Sequence, residues 1–144
     1  MKNYIKEDTA GTVTHIYLDF NQINDGLQFF AQFTLIKELN LGGNKIESCA
    51  SFPQLANLTD LLLDGNQIAD NLDDLLPNFL LKFPKLKYLL LQDNPIHPGD
   101  SADEKSMLVF RAKFKLWIKS LENLDMDQYG KKDEKMIEEL REEE

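Results

Sequence analysis

The sequence predicts an α/β fold in which about four short repeats stack into a right-handed superhelix, with a parallel concave sheet and a carboxyl-terminal helical cap. The first observation is an apolar motif, clearest as Leu58, Leu61, Leu63, Asn66 and Ile68. Three further copies place the same asparagine at positions 21, 44 and 94. The four asparagines, at 21, 44, 66 and 94, are therefore separated by 23, 22 and 28 residues. The second observation is an amphipathic stretch over 107–121, after the last copy, which predicts a terminal helix.

The spacing of the motif determines how each repeat is expected to fold. The two central apolar residues are separated by one residue, so they share one face of a strand. A single repeat cannot bury this stripe alone, so each repeat needs its neighbour. The asparagine amide carries donors and an acceptor, and we expect it to satisfy backbone groups freed at each turn. This predicted structural Asn ladder consists of Asn21, Asn44, Asn66 and Asn94.

Four segments are predicted: an amino-terminal edge cap at 1–12, repeats at 13–96, a carboxyl-terminal cap with the amphipathic helix at 97–130, and an acidic polar tail at 131–144. Residues 1–12 are too short for a helical cap, so Tyr4 and Ile5 are predicted to form a brief strand against the first repeat. Cover is needed there because an exposed strand edge invites aggregation. The alternative is that a partner or a second copy covers this edge.

Local signals refine the repeats and the cap. In the third repeat, extra residues predict a helix over 72–83, capped by Asp70 or Asn71, in which Pro77 either produces a kink or begins a second turn. The other return segments space their apolar residues by three and predict short 3₁₀ turns. Before the terminal helix, Ser101 and Glu104 have the spacing of a capping box. In the tail, the pattern allows a short helix along 132–143.

The composition limits the possible partners and compartments. The chain has 144 residues, 42% of them hydrophobic, and this predicts one folded domain. A net charge of −9 argues against direct binding to nucleic acid, which needs clustered Lys and Arg. The sequence shows no signal-peptide core and no run of about 18 apolar residues, so we expect no contact with a membrane. The single cysteine, Cys49, fits a reducing compartment. We expect an intracellular, cytoplasmic monomer, with the nucleus as the alternative location.

The residues between the strand leucines are predicted to form a binding surface on the concave face. Its apolar members are flanked by acids, which would suit a partner helix or peptide carrying apolar anchors and Lys or Arg. The competing interpretation is a solvated acidic face with scattered exposed leucines. The predicted partner-binding residues are Tyr17, Asp19, Glu38, Asn40, Asp60, Leu62, Asp64, Tyr88, Leu90 and Gln92.

No motif in the sequence predicts an enzyme. The chain has two histidines, His15 and His97, and neither stands at a metal-ligand spacing with cysteine. The pair Gly42 and Gly43 lies inside a repeat and does not form a phosphate-binding loop. We therefore expect no catalytic residues, no metal and no cofactor.

The repeats resemble the short intracellular class of leucine-rich repeat. Phe110-Arg111 followed by Leu121, Leu124 and Asp125 resembles the carboxyl-terminal cap of that class, in which an aromatic–Arg pair precedes Leu-x-x-Leu-Asp. Related capped proteins include the leucine-rich melanocyte differentiation-associated protein, the leucine-rich light chain of dynein, the A-prime subunit of a spliceosomal particle, and the acidic leucine-rich nuclear phosphoproteins. The resemblance implies a non-enzymatic adaptor or scaffold. The alternative that it implies is a regulatory or assembly subunit of a nuclear complex, whether histone-chaperone-like, splicing-associated or phosphatase-regulating.

Overall fold

The structure, a computed structural model, describes residues 7–143. Within that range the strands are β1 (His15–Tyr17), β2 (Glu38–Asn40), β3 (Asp60–Leu62), β4 (Tyr88–Leu90), β5 (Asn123–Leu124) and β6 (Asp127–Gln128). The helices are α1 (Glu7–Ala10), a 3₁₀ helix (Leu27–Gln32), α2 (Leu72–Lys82), α3 (Glu104–Trp117) and α4 (Lys131–Glu142). The helices after β1, β3 and β4 return the chain to the next strand.

The strands form one sheet whose order follows the chain from β1 to β6. Neighbours from β1 to β5 are parallel, and β6 turns back antiparallel to β5. One inward-facing residue of each parallel strand stands in register with the next, in the order Ile16, Leu39, Leu61, Leu89 and Leu124. The last four are fully buried, whereas the first is half-buried because, within 7–143, β1 pairs on one side only. The predicted stacking of repeats therefore holds.

Behind the sheet, a group of phenylalanines packs within the mainly leucine core. Phe79 contacts Phe83 edge to face, with 5.2 Å between ring centroids, and Phe114 with 6.5 Å. Phe52 contacts Phe83 in the same way at 5.6 Å. These rings are buried and come from the second repeat, α2 and α3. Aromatic pairs in this geometry add to the gain from burial, so they join the third repeat to the cap.

The long third repeat forms α2, as its apolar pattern predicts. Asn71 caps the helix, because its side-chain oxygen accepts a hydrogen bond from the Asp73 backbone N–H at 2.9 Å. The helix continues through Pro77 to Lys82 without a new start there. Proline removes one backbone donor, but Leu75, Leu76 and Phe79 are buried around it, and this packing maintains the helix.

At the amino-terminal end, the predicted strand at Tyr4 and Ile5 lies outside the described residues. The described part of that segment contains α1, a single helical turn that ends at the buried Ala10. Residues 7–10 are therefore helical, while the edge cap expected over 1–12 stays a prediction.

The terminal helix α3 starts two residues later than the predicted capping box implies. Asp103, not Ser101, is the capping residue, and its carboxylate accepts from the Ser106 backbone N–H at 2.7 Å. Residues 99–102 form a turn instead, closed by a bond from Ala102 N–H to the Gly99 carbonyl. The buried face of α3 includes Phe114, as predicted, while Trp117 is 43% exposed.

Helix α4 lies in the segment that the sequence suggests is an acidic tail. Arg111, on α3, is buried and donates from Nε to Asp133 Oδ1 at 2.9 Å. Its Nη1 donates to the Leu124 carbonyl at 2.9 Å, and its guanidinium lies 4.5 Å from the ring centroid of Tyr129. Ile137 adds a buried apolar contact. The cap is therefore held at its centre by a buried ion pair.

A second polar contact joins the cap to the last repeat. The Gly99 backbone N–H donates to His97 Nδ1 at 3.0 Å, so the proton of the neutral ring is at Nε2. Nε2 then donates to Asp125 Oδ2 at 2.9 Å. The other oxygen of Asp125 accepts from the backbone N–H groups of Leu91 and Gln92. Asp125 thus bonds to the edge of the final repeat.

Candidate functional site

The concave face of the sheet presents three columns of side chains, as predicted from the alternation of strand residues. The strand register aligns the first two columns directly. The third column follows the strands, at the start of each turn. The first column is His15, Glu38, Asp60 and Tyr88; the second is Tyr17, Asn40, Leu62 and Leu90; the third is Asp19, Gly42, Asp64 and Gln92.

The first repeat contributes an exposed tyrosine. Tyr17 is 59% exposed, and its hydroxyl donates to Glu38 Oε2 at 2.5 Å. This bond, together with burial and the charges of Glu38 and Asp60, raises the pKa of Tyr17. His15 Nε2 stands 3.9 Å from the same carboxylate oxygen. Glu38 therefore fixes the position of the Tyr17 ring and has less capacity left for a partner.

The middle of the face offers less apolar surface than the sequence predicts. Leu62 and Tyr88 are half-buried and remain accessible. Leu90 is only 7% exposed, so the prediction that its side chain is exposed on this face is wrong. It lies outside the main core cluster, beside the turn after β5, where Asp125 bonds to the backbone of Leu91. That turn closes this end of the face, a contact with no signature in the repeat pattern.

Four carboxylates of this face have no basic partner among residues 7–143: Asp60 lies at the start of β3, and Asp19, Asp64 and Asp93 lie on the turn side. Within residues 7–143, no Lys or Arg forms an ion pair with Asp19, Asp60, Asp64 or Asp93. Burial raises the pKa of Asp64, and a backbone hydrogen bond opposes the shift. The negative charges of Asp93, Asp125 and Asp19 raise it further. This side of the face therefore has a negative potential that a bound cation would relieve.

Gly42 leaves a gap in the third column. A β-carbon at this position would lie 2.7 Å from Asp64 Oδ1 and 3.3 Å from Asn40 Oδ1, so a larger residue would displace them. The Asn40 oxygen accepts from the Gly42 backbone N–H at 3.0 Å and is held there. The missing side chain allows the Asp64 carboxylate to lie over the backbone of the second repeat.

Below the turns, the asparagines connect each repeat to the one before it. Asn66 Nδ2 donates to the Leu41 and Leu63 carbonyls at 3.0 and 2.9 Å, and its Oδ1 accepts from the Ile46 N–H at 3.0 Å. Asn44 and Asn94 form the same set of bonds and are also buried. Asn21 is exposed and bonds only within its own repeat. The asparagines thus have a structural role.

Sequence reasoning missed one residue of this face, Phe20. The residue before each ladder asparagine has a positive φ: 57° at Phe20, 67° at Gly43, 66° at Gly65 and 61° at Asp93. Glycine adopts this conformation freely, but for other L-residues it costs roughly 1–2 kcal/mol. Phe20 nevertheless occupies it and is 83% exposed. The glycines at this position in the two following repeats were the available signal.

Elsewhere, the described residues offer no arrangement that suggests catalysis. Within 7–143, no group of three His, Cys, Asp or Glu residues could hold a metal ion. No helix in the same range has the length and apolar character needed to cross a bilayer. A cavity of about 600 Å³ opens between the start of α3 and the start of α4 and is lined by mixed charges. Cys49 is buried and burial raises its pKa, which disfavours the reactive thiolate.

Comparison with solved structures gives the following matches. A chain in the Drosophila melanogaster SNF/U2A′ complex matches with a TM-score of 0.62 and 21% identity, over 96% of this chain and 73% of that chain. Chaetomium Mex67:Mtr2 subunits match with a TM-score of 0.46 and 21% identity, over 81% and 75% of the two chains. An internalin of Listeria monocytogenes matches with a TM-score of 0.39 and 15% identity, over 83% and 49%. No protein-family model and no curated protein matches the chain.

Together with the repeats described above, the first of these similarities confirms the predicted fold class. The chain has the leucine-rich repeat fold, with a parallel concave sheet and carboxyl-terminal helices. The comparison at 21% identity concerns the fold alone. Function is therefore argued from the surface of this chain.

Proposed function

We propose that this protein is a non-enzymatic adaptor that binds another protein on its concave face. The preferred ligand is an amphipathic helix or peptide with apolar anchors and flanking Lys or Arg. The observation that carries the proposal is the row of carboxylates without basic partners beside the accessible side chains of Leu62 and Tyr88. A curved sheet that leaves such a row in solvent favours a ligand of opposite charge.

Three further features support a protein ligand over other classes. The net charge of −9 and the acidic columns would repel the phosphates of a nucleic acid. The described residues show no metal cluster, and neither histidine is paired with a cysteine nucleophile. The similar Drosophila structure is itself a complex, which supports assembly with another protein as a use of this fold. We propose an intracellular, cytoplasmic monomer as the binding species, with assembly in a nuclear complex as the alternative.

The proposal is tested with two synthetic amphipathic helices of equal length and equal leucine content. One carries Arg and Lys beside its apolar face, and the other carries Glu at the same positions. Fluorescence anisotropy should show tighter binding of the basic helix, because only that helix complements the carboxylates of Asp60 and Asp64. Equal binding of the two helices would contradict the charge argument.

A paired substitution locates the site. Asp60→Lys combined with Leu62→Lys removes one carboxylate and the apolar centre of the face, and should weaken binding of the basic helix by about tenfold or more. Leu81→Lys is the matched control, because Leu81 is 70% exposed on α2, away from the sheet. Circular dichroism would verify folding of each variant. Unchanged binding by the concave variant, or an equal loss in the control, would rule out the concave face.

A further inference from the structure

The first repeat contains an exposed aromatic residue that the fold does not need. Phe20 stands at the turn position where two later repeats have glycine and one has aspartate. Its φ of 57° is unfavourable for a phenylalanine, and its ring is 83% exposed, so burial does not compensate for the strain. A backbone bond from the Phe20 N–H to the Gly42 carbonyl, 2.9 Å long, holds the residue there. Strain retained at an exposed side chain indicates a use outside the fold.

The ring has a defined place on the surface. A β-carbon built on Gly43 would lie 2.6 Å from Phe20 Cδ1, so the ring lies against the backbone of the second repeat. On the adjacent residue, the equivalent atom of Gly42 would lie 2.7 Å from Asp64 Oδ1. The aromatic ring and the carboxylate therefore flank the same Gly-Gly dipeptide, one from the first repeat and one from the third.

We propose that Phe20, Asp64 and the Gly42–Gly43 backbone form a site for an arginine side chain of the partner helix. This inference rests on the proposed function and specifies where one basic residue of the ligand binds. The guanidinium stacks on the ring of Phe20 and donates to the Asp64 carboxylate across the glycine surface. Asp19, which has no basic partner among residues 7–143, adds negative charge beside it.

The geometry favours arginine over lysine. A guanidinium is planar, stacks on an aromatic face and donates several hydrogen bonds at once, whereas an ammonium is a compact, strongly hydrated charge. Phe20 and Asp64 themselves cover the two glycines, so a planar group binds on the solvent side of the ring and beside the carboxylate. The raised pKa of Asp64, caused first by burial and then by the neighbouring carboxylates, is consistent with a site that lacks its cation.

The test uses the full chain and three versions of the basic helix. They carry Arg, Lys or neutral citrulline at the position that faces the first repeat and are otherwise identical. For the native protein, the Arg version should bind about three- to tenfold more tightly than either of the others. In Phe20→Gly that preference should disappear, while the thermal midpoint stays equal to or above that of the native protein, because glycine relieves the positive φ. Phe20→Tyr, which retains a ring face, should keep the preference.

A second readout follows the carboxylate directly. Nuclear magnetic resonance titration of Asp64 should show its pKa falling when the Arg helix is bound, because a nearby cation stabilises the ionised form. The citrulline helix should leave that pKa unchanged. A native affinity for the Arg helix in Phe20→Gly, or equal losses for all three helices, would overturn the arginine site.

These results separate the two proposals. If Asp60→Lys/Leu62→Lys abolishes binding while Phe20→Gly keeps the full preference for Arg, the concave face is the binding surface and the arginine site is wrong. If the concave double variant binds the basic helix as the native protein does, the proposed function itself has failed.

Discussion

Replacing Arg111 with methionine is expected to lower the free energy of unfolding by about 3–5 kcal/mol, the cost of breaking a buried ion pair from one side. The change leaves the Asp133 carboxylate buried without its cation. It also removes donors from the carbonyls of Leu124, Asp127 and Gln128, which the guanidinium joins to one another. Urea denaturation, followed by circular dichroism, measures the loss.

The chain supplies a matched control in an exposed pair. Lys132 and Glu104 form an ion pair at 2.6 Å with both side chains largely in solvent. Lys132→Gln should leave the denaturation midpoint almost unchanged, because exposed pairs contribute little. The double variant Arg111→Met/Asp133→Leu should recover much of the loss, since no buried charge then remains unpaired. Equal effects of Arg111→Met and Lys132→Gln would show that burial of the pair is unimportant.

Asn66→Ala is expected to cost about 2–4 kcal/mol, since buried groups left without partners cost about 1–3 kcal/mol each. Alanine would remove the donors to the Leu41 and Leu63 carbonyls and the acceptor for the Ile46 N–H. The loss is measured by the same urea denaturation.

The matched control is Asn21→Ala at the equivalent position of the first repeat. Asn21 is exposed and bonds only to carbonyls of its own turn, Leu18 and Asp19, so water can replace its contacts. We expect a clearly smaller loss of stability than for Asn66→Ala. An equal loss of unfolding free energy in the two alanine variants would show that the hydrogen bonds between repeats add no stability.

The stacking of the repeats was predictable from the sequence because one periodic signal fixes it. The spacing of Leu58, Leu61, Leu63 and Asn66 specifies a strand, a turn and an inward stripe, and a parallel neighbour of the same sequence pattern must then align in register. Because the asparagine also recurs at a fixed place in the motif, the sequence alone predicts that it bonds to backbone groups at the turn.

Contacts between the repeats and the cap were not predictable in the same way. Leu90 occupies a column position that the repeat pattern exposes, yet it is buried beside Leu91, whose backbone bonds to Asp125 of the cap. The capping residue of α3 is Asp103. The sequence did not identify it, because Asp and Ser are nearly equivalent caps. The positive φ of Phe20 could be inferred from the sequence only by comparing the repeats, because two later repeats have glycine at the same position.

The two ends of the solenoid differ, and this difference has a consequence for its motions. The hydrogen bonds of Asn44, Asn66 and Asn94 reach no further than the preceding repeat. Each repeat is therefore stabilised mainly by its immediate neighbours. The carboxyl end is closed by the buried Arg111 pair, whereas Asn21 faces solvent. Fraying should therefore start at β1 and progress towards the cap, with the fastest amide hydrogen exchange in the first repeat. A ligand bound to the first repeat would stabilise it and slow that exchange.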